Sequence, residues 1–153
     1  MKRFTWVVAV ELVTGCVSAK PTAPAPVSFH SSRSAKEATQ AAAVTLTGAG
    51  FRVEQADTIG NALTANRTAT HNGNQQYVVC ALPKGSDAAA NRQTILAVSF
   101  RAVPKPTGSD ISINSQVTTS YPGYEGTAMQ VPANASECVS NGTIEQQLTN
   151  VLR

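Results

Sequence analysis

TILAVSFRAVPKPTGSDISINSQVTTSY, residues 94–121, carries the pattern that decides the fold. In its first half Leu96, Val98, Phe100 and Ala102 fall on one face of an extended chain, with Ser99 and Arg101 on the other. In its second half Ile111, Ile113, Val117 and Tyr121 alternate with Ser112, Asn114, Gln116, Thr118 and Ser120. Successive side chains of a strand point to opposite faces, so this period of two describes strands with one dry face and one wet face. Sheets of that kind are antiparallel and covered on one side. Pro104-Lys105-Pro106-Thr107-Gly108 breaks the first run and separates it from the second.

Upstream, Val27 and Phe29 alternate with Ser28 and His30, a short strand signal. Ser34-Ala35-Lys36-Glu37 fits a capping box, in which hydroxyl and carboxylate each satisfy an orphan amide of the first helical turn. Ala35, Ala38, Ala42, Leu46 and Ala49 then make one apolar stripe, small enough for the helix to lie close to a sheet. Gly48 and Gly50 offer the stop. Phe51 and Val53 begin another strand, Thr58-Ile59-Gly60-Asn61 reads as a turn, and Ala62 to Thr68 returns with Leu63 and Ala65 on one face. Its small and polar residues predict an edge strand or a frayed end. The Asn-Gly pair in His71-Asn72-Gly73-Asn74 predicts a hairpin turn. Tyr77 to Leu82 is apolar on both faces and predicts a central strand. Pro83 to Arg92 reads as a loop with a helical turn at Asp87 to Asn91.

Downstream, an irregular loop runs from Tyr121 to about Asn141. Thr143 to Gln146 repeats the capping-box pattern, and Ile144, Leu148, Val151 and Leu152 form the apolar face of a last helix. The expected class is α+β: an antiparallel sheet of about five or six strands with an N-terminal and a C-terminal helix packed on one face. Residues 27–153 form a single domain in this reading.

Composition narrows the function classes. The chain has 153 residues, a formal net charge of +3 and 14% charged residues, so it lacks the basic footprint of a nucleic-acid partner. Hydrophobic residues make up 42%, which supplies a core and argues against disorder. No apolar run reaches the ~18 residues of a spanning helix. No phosphate loop, His-Glu-x-x-His or Cys-x-x-Cys motif occurs, and Gly48-x-Gly50 follows a helix instead of opening one. Two separated histidines, His30 and His71, leave a zinc site short of ligands, so neither metal nor cofactor is expected. Asp57, Asp87, Asp110, Glu125 and Glu137 fall in expected turns or loops, where carboxylates are normally solvated.

The N-terminus is more specific. Lys2 and Arg3 precede an apolar stretch from Phe4 to Val10 and then Glu11, Leu12 and Val13, the layout of an export signal. The segment closes as Val13-Thr14-Gly15-Cys16. This resembles the lipobox of bacterial lipoproteins: an aliphatic residue, two small residues, then the cysteine that is acylated and becomes the new N-terminus. The resemblance implies loss of residues 1–15 and lipid attachment at Cys16. It departs from the family pattern at Glu11, a charge in the apolar core, and at Val13, where Leu is commoner. Residues 16–26, with Pro21, Pro24 and Pro26, then read as a Pro/Ala-rich tether. Val17 after the cysteine implies, by the same resemblance, the outer membrane facing the periplasm. The order of elements over residues 27–153 also resembles, in pattern only, the helix-grip domains of the BamC type found in the outer-membrane assembly machine.

Given export, Cys80 and Cys138 lie in an oxidising compartment where thiols tend to pair, and two cysteines allow one connectivity. Two buried free thiols are the alternative. Recognition has two candidate locations: the loop bearing Tyr121 and Tyr124, and the wet face with Ser112, Asn114, Gln116 and Thr118 near Arg101. The expectation is a non-enzymatic, lipid-anchored envelope protein with a membrane attachment and an envelope protein partner. A periplasmic small-ligand binder and a small hydrolase stay open.

Overall fold

The computed structural model of the protein describes residues 21–57, 59–80, 93–120 and 138–153. In chain order the elements are β1 (Val27–Ser31), α1 (Ala35–Gly48), β2 (Arg52–Asp57), β3 (Ala62–Thr70), a helical turn α2 (His71–Asn74), β4 (Val78–Cys80), β5 (Gln93–Lys105), β6 (Gly108–Ser120), β7 (Cys138–Ser140) and α3 (Thr143–Leu152). Five strands form one antiparallel sheet in the order β1-β6-β5-β3-β2, and β4 pairs with β7 in a separate two-stranded sheet. The class is therefore α+β, as the alternation in residues 94–121 requires.

The longest pairing joins β5 to β6 in unbroken register from Gln93↔Ser120 to Lys105↔Gly108. Leu96, Val98, Phe100, Ala102, Ile111 and Ile113 all point to the same side and are buried. Leu63 and Ala65 of β3 extend that surface. α1 and α3 pack on it and against each other. α1 contributes Ala35, Ala38, Ala42 and Leu46, whose short side chains let the helix approach closely; α3 contributes Ile144, Leu148 and Leu152. Each fully buried Leu, Ile or Phe contributes about 1.5–3 kcal/mol by area, so this one shared layer dominates stability.

Both ends of α1 follow the sequence. Ser34 Oγ accepts from the Glu37 amide at 3.3 Å and the Glu37 carboxylate accepts from the Ser34 amide at 3.0 Å, the expected capping box. These bonds to Ser34 hold the Glu37 carboxyl below the usual carboxylate range. At the other end Gly50 takes φ 80°, and the Gly50 and Phe51 amides donate to the Thr47 and Leu46 carbonyls. This is a Schellman closure, and it needs a residue free to enter the left-handed region.

Several expectations change. β3 is an interior strand between β5 and β2, not an edge. Only its first half has two partners, because β2 reaches no further than Asn66; the polar second half pairs with β5 alone. The Asn-Gly at residues 72–73 turns within α2 and makes no hairpin, and β3 is not followed by a strand of its own sheet. Of the expected central strand Tyr77 to Leu82, the described residues end at Cys80 and lie outside the main sheet. Tyr77 and Val78 are buried, and Val78–Cys80 pairs with β7. That strand lies inside the span expected to be loop from Tyr121 to Asn141. The second capping box is also absent. The helix begins at Thr143 itself after Gly142 (φ 86°), and the Asn141 carboxamide oxygen accepts from the Thr143 amide instead. Val151 is 41% exposed and flanks the apolar stripe without joining it. The expected loop at residues 83–92 lies outside the described residues.

Pro104 does not end β5. Beyond Arg101 the strand has lost β3 as a neighbour, so a residue without an N–H is tolerated there. Lys105 pairs with Gly108 across a two-residue turn, Pro106-Thr107. Proline cannot take the positive φ of the mirror-image turns that such hairpins favour, and the positive φ falls on Gly108, at 121°. A Cβ at Gly108 would also collide with the Ser31 carbonyl and the Ser32 backbone. Gly48, by contrast, sits in the last turn of α1 with open space around it. Gly108→Ala is expected to lower unfolding free energy by at least about 1–3 kcal/mol through backbone strain alone. Gly48→Ala is expected to raise it by about 0.5–1 kcal/mol. Urea denaturation of the two variants checks both signs.

Candidate functional site

The side of the sheet opposite the helices is the candidate site. Ser99, Arg101, Ser112, Asn114, Gln116 and Thr118 are all exposed on it, as the alternation predicts. Register places them in rows. Ser28, Ser112, Arg101, Ala62 and Asp57 lie side by side across five strands. Asn114, Ser99, Thr64 and Gln55 form the next row. A shallow depression of about 380 Å³ covers both rows, with Pro26, Asp57, Arg101 and Asn114 among its walls. Among the described residues no ion pair engages Arg101. Asp57 Oδ1 is occupied by its own turn, accepting from the Ile59 amide at 3.0 Å and the Gly60 amide at 2.8 Å. The face therefore offers hydroxyls, carboxamides and one guanidinium, which is hydrogen-bonding chemistry for a polar partner.

At the turn end of the same face lies a cluster that sequence reasoning did not assemble. His30 Nδ1 is 3.0 Å from Asp110 Oδ1, and His30 Nε2 is 3.0 Å from the Thr107 carbonyl oxygen. Lys105 Nζ is 3.1 Å from Asp110 Oδ2. The hydrogen bond to Asp110, aided by the one to Thr107, raises the His30 pKa above its ordinary value. The bonds from His30 and Lys105 hold the Asp110 carboxyl below the usual range. Asp110 is a strand residue, not the turn carboxylate the sequence suggested. His71, at the start of α2, follows the far end of β3, about ten residues of β5 away, on the order of 30 Å along the sheet. The two histidines are not brought together.

Two inward-facing polar groups were also missed. Glu145 is 3% exposed and lies beneath β6 and β7, where Ser115 Oγ and Ser140 Oγ donate to it, the latter at 2.9 Å. The signal was its place three residues before Leu148 and seven before Leu152, on the edge of the apolar stripe. Arg67 continues the inward series Leu63, Ala65. Its guanidinium donates to the Ala49 carbonyl at 2.7 Å and to Asn74 Oδ1 at 3.0 Å, and it lies 5.5 Å from the centre of the Tyr77 ring. Fully buried Asn74 passes the connection to Thr94, donating to its carbonyl at 3.0 Å and its hydroxyl at 2.7 Å. One cation thus ties the end of α1, β3, α2 and β5 together.

Cys80 and Cys138 form a disulfide across the β4–β7 pair, at a sequence separation of 58. The bond does not involve a central strand of the main sheet, because β4 lies outside it. Cys16, residues 1–15 expected to form an export signal, Tyr121 and Tyr124 lie outside the described residues, as do Asp87, Glu125 and Glu137. Among the described residues no group of three or more His, Cys, Asp or Glu is placed to hold a metal ion. No described helix is long and apolar enough to cross a membrane.

No family model matches the chain, and no curated protein matches it. Among solved structures it is similar to a DUF4468 family protein from Bacteroides ovatus, with 10% sequence identity and a TM-score of 0.38. The similarity covers 69% of this chain and 62% of that one, so this chain spans less than two thirds of that protein's length.

Stability and recognition separate by position. Glu145→Ala leaves the buried Ser140 hydroxyl and the half-buried Ser115 hydroxyl without their acceptor and is expected to cost about 1–3 kcal/mol. Arg101→Ser and Asn114→Ser on the exposed face are expected to stay within about 0.5 kcal/mol of the parent. Thermal or urea unfolding of the three variants checks the contrast.

Proposed function

We propose that the chain is a lipid-anchored protein of a bacterial envelope, acylated at Cys16 after removal of residues 1–15. In this reading its domain, residues 27–153, is a non-enzymatic structural or protein-interaction module. The observation that carries the proposal is Val13-Thr14-Gly15-Cys16, preceded by a basic and apolar leader and followed by the Pro-rich tether. The cysteine arithmetic supports it. Cys80 and Cys138 are joined to each other, so of the three cysteines Cys16 is left for another chemistry. A disulfide in so small a domain suits an exported protein, since cytosolic thiols are kept reduced. Residues 21–26 carry no strand or helix and lead straight into β1, as a tether should.

For an interaction module the polar face of the sheet is the docking surface, with the Tyr121/Tyr124 segment as a second contact. The depression around Arg101 and Asn114 keeps a periplasmic small-ligand binder as the second reading. The outer membrane and the BamC-like architecture belong to the same proposal and rest on resemblance alone.

Labelled palmitate supplied to expressing bacteria is expected to enter the protein and to be lost in Cys16→Ser, with the variant moving from the membrane to the soluble fraction. Unchanged labelling and fractionation in Cys16→Ser would sink the anchor. The expected effect of the disulfide is independent. Replacing Cys80 and Cys138 together by Ser costs up to about 4 kcal/mol on the loop-entropy estimate, read by urea unfolding.

A further inference from the structure

We propose that His30 is a proton-controlled clasp that holds β1, the strand entered directly from the tether, onto the β5–β6 turn. The argument is one of donors and acceptors. His30 Nδ1 faces the Asp110 carboxylate and Nε2 faces the Thr107 carbonyl, each at 3.0 Å. Both partners are acceptors: a carbonyl oxygen carries no proton, and Asp110 also receives Lys105 on its other oxygen at 3.1 Å. A neutral imidazole has one N–H and one lone pair, so it can satisfy only one of the two oxygens. The imidazolium satisfies both. The geometry is therefore complete only when the ring is protonated, and loss of the proton turns one contact into lone pair against lone pair.

The place of the contact gives it leverage. β1 is an edge strand of five residues, paired on one side only. Its far end is tied down by Ser31 Oγ, which donates to the Leu152 carbonyl, and by Ser109 Oγ, which donates to the Arg33 carbonyl at 2.9 Å. His30 adds the side-chain bond that joins β1 to the turn at Thr107. The charged groups facing the ring are Asp110 from β6 and Lys105 from β5, and among the described residues β1 adds none.

The pH window follows from the signs. A His30 pKa above 6.5 makes its contribution complete below 6.5 and lost as pH rises through the folded value. An Asp110 pKa below 3.8 makes its contribution complete above 3.8 and lost as pH falls through the folded value. The clasp is closed between these limits and opens on the alkaline side, through His30.

NMR titration of the full chain measures the His30 ring, and hydrogen exchange across the same pH range measures the β1 amides, corrected for intrinsic rates. His30 is expected to titrate above the ordinary histidine range. Protection of the β1 amides that bond β6, relative to central β5, is expected to fall about two- to fivefold across that titration, the size of a partly exposed ion pair. Asp110→Asn is expected to lower the His30 midpoint, and His30→Gln to make β1 protection independent of pH. Lys105→Gln is expected to leave the two ring contacts intact and the pH dependence in place. A His30 midpoint at or below the ordinary value overturns the proposal. So does β1 protection that is flat across the titration, or that retains its pH dependence in His30→Gln.

Discussion

The unbroken pairing of β5 with β6 is the constraint on which the rest of the molecule depends. A shift of one residue in that register would send every apolar side chain to the opposite face. The register is pinned at one end by the Pro106-Thr107 turn and by Gly108, the residue free to adopt φ 121° while lying against the Ser31 and Ser32 backbone. With the register set, Leu96, Val98, Phe100, Ala102, Ile111 and Ile113 must share one face, and the helices must be recruited to that face. The polar face is the other half of the same decision. It is wet because its alternate partner is dry, and its candidate role in recognition needs no feature beyond that alternation.

Polar groups on the buried side act where layers meet. Arg67 closes the gap between the end of α1 and the second half of β3, where β2 has already left the sheet. A hydrophobe there could not satisfy the Ala49 carbonyl, which the Schellman closure leaves without a helical donor. Glu145 performs the corresponding task under β6 and β7, fixing α3 through two serine hydroxyls. Buried polar groups of this kind are costly unless fully partnered, so they select one arrangement of helix on sheet over sliding alternatives.

Period-two and period-three-to-four patterns made the main sheet and both long helices legible, because burial on one side writes itself into consecutive residues. Ser34 and Glu37 were legible for the same local reason. What failed was non-local. Tyr77-Val78-Val79 reads as a central strand because hydrophobicity reports burial without naming the partner. Here Tyr77 is buried against Phe51 while Val78 to Cys80 pairs with a strand some sixty residues onward, outside the main sheet. The Asn-Gly at residues 72–73 has the composition of a hairpin turn, yet Asn74 is drawn inward by Arg67 and Thr94, and the chain coils instead. Of the candidate surface, the alternate residues from Ser112 to Thr118 were readable. The grouping of His30 with Asp110 and Lys105 was not, since it follows from the antiparallel pairing of β1 with β6 across about eighty residues.

That pairing links the two functional arguments. β1 is short, lies at an edge and receives the chain from the Pro-rich segment, so any pull transmitted along a tether reaches the sheet at β1 first. An edge strand loaded from its N-terminus peels from the residue nearest the load, Val27, toward Ser31. The bonds that resist complete detachment are those at the far end: Ser31 to α3, Ser109 to Arg33, and His30 to the turn. Two of these three are neutral and insensitive to pH in the physiological range. The third is made by the His30 ring, whose other nitrogen faces the Asp110 carboxylate. In the proposed tethered protein the core stays on the β5–β6 hairpin, and the proposed adjustable contact lies on the strand beside the tether. There, loosening would uncover one edge of β6, and complete detachment would also break the bond from Ser31 to α3.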